Sequence, residues 1–502
     1  MANQRSIVKE PGQASSLAER VSWITWLALV LCIPFTSSPL IANLVGETSV
    51  SPLAIVPALI LFIICVLPYA IRGGRWPAIS APLWLFAFIC LLSGILVFSK
   101  PIYLVGIEPV LRNKLVGIVP LGIGLCYYFS TVLVLRSQVN IKRAVQVIYI
   151  GLVLILVWSS VQATYVLSEG RRVPLVLNNI HHLFSFRDLI YNRVVGWAYE
   201  PSWLGNQLVV FYIPLLLGSV LTRFSVFSTR RTWVSVELAL LTWSLAILAL
   251  SQSRISYLSL FFVVSLLVIA LVWRLICKTV KLGVIRSGML VKTLRIGIMG
   301  MVILGLAASL LGLVAVISKV DKRMRKLHSL VDQIPEFRAL YLDNAVYEFA
   351  NRLAFAERII YWETGFRIFE EHPILGVGLE NNGYYFRENM PTYGYGLAEM
   401  RYVVDPDSNL RSNPKNLWIR LLSETGIVGF SAFFVWLLLT GLKAFSLSRR
   451  VEQIYVMVGI SGLIGLAAQV VEGFSLDTFA LPQFWILPAI IAAAGWREDQ
   501  DG

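Results

Sequence analysis

Four arginines, Arg193, Arg254, Arg352 and Arg358, share this chain's polar segments with two groups able to move a proton, Glu200 and Lys415. A guanidinium stays charged and matches phosphate oxygens with a planar fork of donors. A carboxylate or amine beside it can take a proton from an attacking hydroxyl. Asn416 and Trp362 lie next to these groups and suit substrate contact. The sequence holds no P-loop, no Gly-rich dinucleotide fingerprint, no metal-ligand cluster and no Ser/His/Asp arrangement. An enzyme built this way must receive an already activated substrate. A sugar carried on a lipid diphosphate fits, because the diphosphate is the leaving group and arginines can neutralise the charge it develops.

Local sequence positions each group, and each keeps a plainer reading beside the chemical one. Glu200 precedes Pro201, which suits the first turn of a helix, where an acid also complements the dipole. Phe355, Ile359, Trp362, Phe366 and Phe369 recur at 4, 3, 4, 3, predicting one apolar stripe on a helix near residues 352–371 that His372-Pro373 ends. Arg358 falls on the border of that stripe, as a phosphate ligand or as a solvated flank. Ser412-Asn413-Pro414 predicts a second helix, with Asn413 as cap and Lys415 and Asn416 in its first turn, where free N–H groups favour an anion. Arg254 stands at a span end, where snorkelling to water is the alternative to anion binding. Arg420 and Glu424 read as a structural i,i+4 pair. The adjacent His181 and His182 diverge on a helix and do not suit one metal ion.

The elements that must carry these residues are mostly membrane. Hydrophobic residues make up 57% and charged ones 14%, with mean hydropathy +0.72, far from soluble composition. Apolar runs predict an all-α polytopic membrane protein of about twelve transmembrane helices with a large helical extracytoplasmic loop. Residues 1–318 would hold helices 1–9 with a shorter outer loop at 168–200, residues 319–425 the large loop, and residues 426–502 helices 10–12 and a cytoplasmic tail. Net charge is +14, but its placement argues against nucleic acid as a partner. Alternate connections hold 21 Lys and Arg on one side and 8 on the other, and the remaining 14 lie in 319–425. The crowded side is the cytoplasmic one, so both functional loops are expected outside.

Arg352–Trp362 through His372-Pro373-Ile374-Leu375-Gly376-Val377-Gly378 resembles the loop signature of the O-antigen ligase/polymerase superfamily. Asn416-Leu417-Trp418-Ile419 with Leu422-Ser423-Glu424-Thr425-Gly426-Ile427-Val428-Gly429 is similar to its continuation, and Glu200-Pro201-Ser202 and Ser253-Arg254 to further points. The resemblance spans roughly residues 193–442. It implies a multi-spanning glycosyltransferase without metal or other cofactor, acting on undecaprenyl-diphosphate-linked oligosaccharide at the outer face of a bacterial inner membrane. Arginines similar to Arg254 and Arg358 engage the diphosphate in that superfamily. Ligases carry a His where this chain has Lys415, so the departure favours a polymerase of O-antigen or exopolysaccharide synthesis, with a chain-length regulator and a flippase as expected partners. A ligase acting on a lipid A core, and a polysaccharide-related transporter, are the alternatives. The absence of charge at span centres and of an internal repeat weighs against transport.

Overall fold

The computed structural model describes residues 17–45, 50–96, 107–136, 138–168, 172–227, 235–281, 296–298, 300–312, 355–405 and 412–501, and these form helices and loops without a strand. Arg352 and the first part of the large loop lie outside the described residues. In chain order the helices are α1 (Leu17–Leu31), α2 (Pro39–Val45), α3 (Ile55–Ile71), α4 (Ala81–Leu96), α5 (Ile107–Val134) and α6 (Gln138–Leu167). Next come α7 (Leu175–His182), α8 (Pro201–Thr222), α9 (Val236–Ser251), α10 (Arg254–Lys281) and α11 (Ile296–Gly312). The loop helices α12 (Ala356–Glu371), α13 (Asn382–Asn389) and α14 (Ala398–Val404) precede α15 (Leu417–Leu447), α16 (Gln453–Glu472) and α17 (Pro482–Asp501).

Seven of these helices are long and apolar enough to cross a membrane, and α3, α9, α11 and the Pro482–Trp496 part of α17 are shorter apolar helices. The chain is therefore a multi-pass membrane protein. The first apolar run of the sequence, residues 23–44, does not fold as one helix. Its helix stops at Leu31, Ser37 bridges to Ser51, and α2 starts afresh at Pro39.

Helix α16 is the centre of the bundle, in contact with α8, α10, α15 and α17. Its glycines explain how. A side chain at Gly459 would strike Ala444 and Leu447 of α15, one at Gly462 would strike Ile491 of α17, and one at Gly465 would strike Leu487 and the Val210 carbonyl. Lipid supplies no hydrophobic drive between helices, so close backbone approach at small residues is what binds them.

Helix α15 is broken at Gly426, whose φ of 63° and ψ of −172° lie where only glycine is at ease. The segment Pro373–Gly378 repairs the break. Val377 and Gly378 donate to the carbonyls of Ser423 and Glu424 (2.9 and 2.8 Å). Ile427 and Val428 in turn donate to those of Pro373 and Ile374 (2.8 and 3.3 Å). A backbone group at membrane depth needs such a partner. The loop is thus fastened into the bundle where the tenth predicted span begins.

The loop also has a core of its own: Ile360, Tyr361 and Ile368 of α12 with Val377, Phe386, Met390, Met400 and Val403. The packing sets the orientation of α12, which the stripe alone left open. Its buried face is Ala356, Ile360, Tyr361, Thr364, Gly365 and Ile368, on the opposite side of the helix from the aromatic stripe, and Phe366 is 46% exposed. Both sides of α12 carry apolar residues, so periodicity alone could not choose between them.

Candidate functional site

Four elements converge at the loop end of the bundle. The first is the chain leading into α8. Gln162 of α6 accepts from the amides of Val195 and Gly196 (3.0 and 2.9 Å) and donates to the Gly196 carbonyl (2.8 Å). That latch sets the path to Glu200, the residue before Pro201 at the start of α8, in extended conformation. Its carboxylate is half exposed and takes hydrogen bonds from Arg187 Nη1 (2.7 Å) and Ser202 Oγ (3.2 Å).

The second element is the turn into α10. Arg193 does not reach outward for an anion: its Nε and Nη2 donate to the carbonyls of Ser251 and Gln252 (3.0 and 2.8 Å). It thereby holds the turn that presents Arg254 as the first residue of α10. Gly205 of α8 lies directly against Ser253 and Ser256, so Arg254 and Glu200 stand at neighbouring ends of two touching helices.

The third element is the approach to α15, where a local expectation fails. Asn413 is not a helix cap; its Oδ1 accepts from the Lys415 amide (3.1 Å) in an Asx turn, and Lys415 takes a φ of 50°. Asn416 is the cap, its side chain accepting from the amides of Trp418 and Ile419 (2.9 and 3.3 Å). Lys415 and Asn416 therefore precede the helix instead of lying in its first turn. The Asn416 Nδ2 remains buried with no hydrogen-bond partner. Leu417 donates to the Gly473 carbonyl (2.7 Å), tying this corner to the end of α16.

Helix α12 is the fourth. Gly365 lets it lie against Pro414 and Ile419, and Arg358 Nη1 donates to the Lys415 carbonyl (3.2 Å). Burial holds the Arg358 guanidinium below the ordinary arginine pKa, although the charges of Asp477, Glu200 and Glu399 all favour its protonated form. Desolvation, and not a shortage of nearby acids, is what disfavours its charged form. Trp362, one turn on, packs on Phe355 and Phe474 (ring centroids 5.4 and 6.0 Å), with its Nε1 buried and without a hydrogen-bond partner.

Lys415 is occupied. Its Nζ pairs with Glu399 (2.8 Å) and sits over the Tyr361 ring (4.1 Å), while the Tyr361 hydroxyl donates to the same carboxylate (2.9 Å). Burial pulls the ammonium pKa down, but Tyr361 and Glu399 outweigh it and hold it above the ordinary lysine value. A proton so retained makes a poor base, which counts against that expectation for Lys415.

Sequence reading passed over Asp477, in the connection between α16 and α17. Burial raises its pKa against the pull of Arg420, and its Oδ2 is buried without a hydrogen-bond partner. It is also the strongest carboxylate influence on Arg358. The available signal was a lone acid in a short connection at the same end of the bundle as the loop. Arg420 and Glu424 form more than a pair. Arg420 binds Glu424 (2.9 Å), Glu380 (2.6 Å) and the Asp477 carbonyl (2.7 Å), and Asn382 donates to Glu424 (2.9 Å). This buried knot ties the loop to α15 and places Asp477.

Of the two histidines, His181 is buried in a stack with Trp158 and Trp197, and His182 meets Asp188 (2.6 Å) outside.

Fold and site together define a multi-pass helical membrane protein whose loop domain gathers arginines and acids against the ends of its spans. Residues 239–434 match the family model Wzy_C, O-Antigen ligase, and the chain carries a domain of that family there. The matched stretch takes in Arg254, α12 and the broken part of α15. A search of curated proteins finds no match. The family finding supports ligase- or polymerase-type glycosyl transfer and lends no support to transport.

Proposed function

We propose that this protein is a glycan polymerase. It transfers an undecaprenyl-diphosphate-linked glycan onto a sugar hydroxyl of another lipid-linked repeat unit, at the extracytoplasmic face of the bacterial inner membrane. The observation that carries this is Arg358, a half-buried guanidinium bonded to the Lys415 carbonyl and within electrostatic reach of Glu200, Glu399 and Asp477, in the stretch that matches the O-antigen ligase family model. In the reaction, a carboxylate takes the proton from the acceptor hydroxyl. The freed oxygen bonds to the anomeric carbon, and the bond from that carbon to the diphosphate oxygen breaks. Arg358 and Arg254 stabilise the departing diphosphate, which gives the protein's own cations the role a metal ion has elsewhere. Arg193 acts by holding the Arg254 turn.

Asp477 is the better base and Glu200 the second. Glu200 is already engaged by Arg187, whereas burial raises the proton affinity of Asp477. Polymerase is preferred over ligase because the position before Asn416 holds a lysine neutralised by Glu399 and not a free base. Asn416 Nδ2 and Trp362 are the groups offered to sugar or carrier.

Reconstitution with purified lipid-linked repeat units, in chelator and without nucleotide, tests this. Ladders of longer lipid-linked glycan are expected, and Arg358→Ala should slow them by about a hundredfold or more, the usual loss for one transition-state donor. Unchanged ladders in Arg358→Ala would refute the assigned anion site. Product formed only when a lipid A core is added would identify a ligase instead.

A further inference from the structure

The aromatic stripe of α12 lies opposite the helix's buried face; its Trp362 still packs against the loop core, whereas Phe366 is exposed. Phe355, Ile359, Trp362, Phe366 and Phe369 lie opposite the buried side, and Phe366 and Phe369 touch at 5.8 Å between ring centroids. Charged residues flank the stripe instead of interrupting it: Glu363 and Arg367 pair along one border (2.7 Å), and Arg358 marks the other.

What lies under this face follows from how α12 is tied. Toward its start, Arg358 bonds to the carbonyl of Lys415, two residues before α15. In its middle, Trp362 meets Phe474, two residues beyond the end of α16. Just past its end, Pro373 and Ile374 accept from Ile427 and Val428 of α15. The helix thus lies across the ends of two spans. Its apolar face continues into side chains that are 40–65% exposed: Val470, Phe474, Ile374, Ile427 and Val428. On a span, exposed side chains of this kind face acyl chains.

We infer that α12 is an interfacial helix whose outer aromatic residues, Phe366 and Phe369, are embedded in the lipid leaflet on the loop's side of the membrane, while Trp362 stays against the protein. A helix with a bulky aromatic face and charged borders, lying at span ends, has the makeup of a segment that settles at headgroup depth. The occupant of the face is bulk lipid, and the anchoring holds the Arg358 border of the helix at the level of lipid phosphates. The placement itself does not depend on the proposed reaction.

The test uses full-length protein with its five cysteines replaced, carrying an NBD fluorophore at Phe366→Cys, Ile374→Cys or, as the water-facing comparison, Arg367→Cys. Each is reconstituted into phosphatidylcholine vesicles holding lipids with a nitroxide at a shallow acyl position, and is separately exposed to aqueous iodide. Several-fold stronger lipid quenching at 366 and 374 than at 367, with the reverse order for iodide, is expected. Equal iodide quenching at all three positions would overturn the inference by placing the stripe in water. Protection from both quenchers at 366, with energy transfer between labelled copies, would overturn it in favour of a contact with a second copy of the chain. Two labelled positions keep the test sound should one variant fail to fold.

Discussion

Replacing Gly426 with alanine should release the loop from the bundle. Its backbone lies at φ 63°, ψ −172°, where a non-glycine residue costs about 1–3 kcal/mol. A methyl group there would also fall on the Ile374 carbonyl and the Leu375 nitrogen. Those atoms belong to the segment that repairs the broken helix, so the segment must move away. The bonds from Ile427 and Val428 to Pro373 and Ile374 are the first to go, at about 1 kcal/mol each. Together this weakens the attachment by about 3–5 kcal/mol. The reporters are the amides of Val377 and Gly378, which donate into α15 from the same segment. Hydrogen exchange followed by mass spectrometry in detergent should show them exchanging about a hundredfold faster or more, since about 1.4 kcal/mol is a factor of ten. Gly94→Ala, where a methyl group meets nothing within 4 Å, is the control and should leave exchange unchanged. Exchange at Val377 and Gly378 within twofold of the parent protein would show that the segment is not held by the break, and the account of loop attachment would fail.

The Arg420 knot gives another prediction: Arg420→Met leaves Glu380 and Glu424 without their cation and should cost about 3–5 kcal/mol, seen as a clear drop in melting temperature in detergent. A melting temperature within a degree or two of the parent would show the knot to be dispensable. His181 makes the protein acid-sensitive. Burial in its aromatic stack, helped by His182 and opposed by Asp188, lowers its pKa from 6.5 to about 4. The unfolded chain therefore binds the proton first. Stability should be intact above about pH 6.5 and fall by about 3 kcal/mol as pH drops toward 4. His181→Phe keeps the stack without the titration, so its melting temperature should change less over that interval; parallel profiles would exclude His181 as the cause.

How far the sequence could be read depended on the kind of information a feature carries. The apolar runs 82–98, 203–221, 234–250 and 454–471 place α4, α8, α9 and α16 within a few residues, because a run of apolar side chains has only the bilayer as a stable surrounding, whereas α6 starts earlier and α10 ends later than their runs. The beginning of the tenth span at Ile427 was legible too, and it coincides with the break at Gly426. The stripe on α12 was legible as a stripe, but its direction was not. Two apolar faces share that helix, and only the packing of Gly365 on Pro414 and of Ile360 on the loop core decides which turns inward.

The site divides in the same way. Composition and local pattern alone determined that the chain is a bundle of apolar helices, and that arginine and acid are the groups its polar segments make available. Tertiary structure decided which of them meet. It turned Arg193 onto the α10 turn, closed Lys415 on Glu399, moved the helix cap from Asn413 to Asn416, and brought Asp477 near Arg358 from more than a hundred residues away. A side chain's neighbours along the chain set its helix and its depth. Its charge state and reach depend on groups that only folding brings near, through burial and through Coulomb forces that weaken with distance.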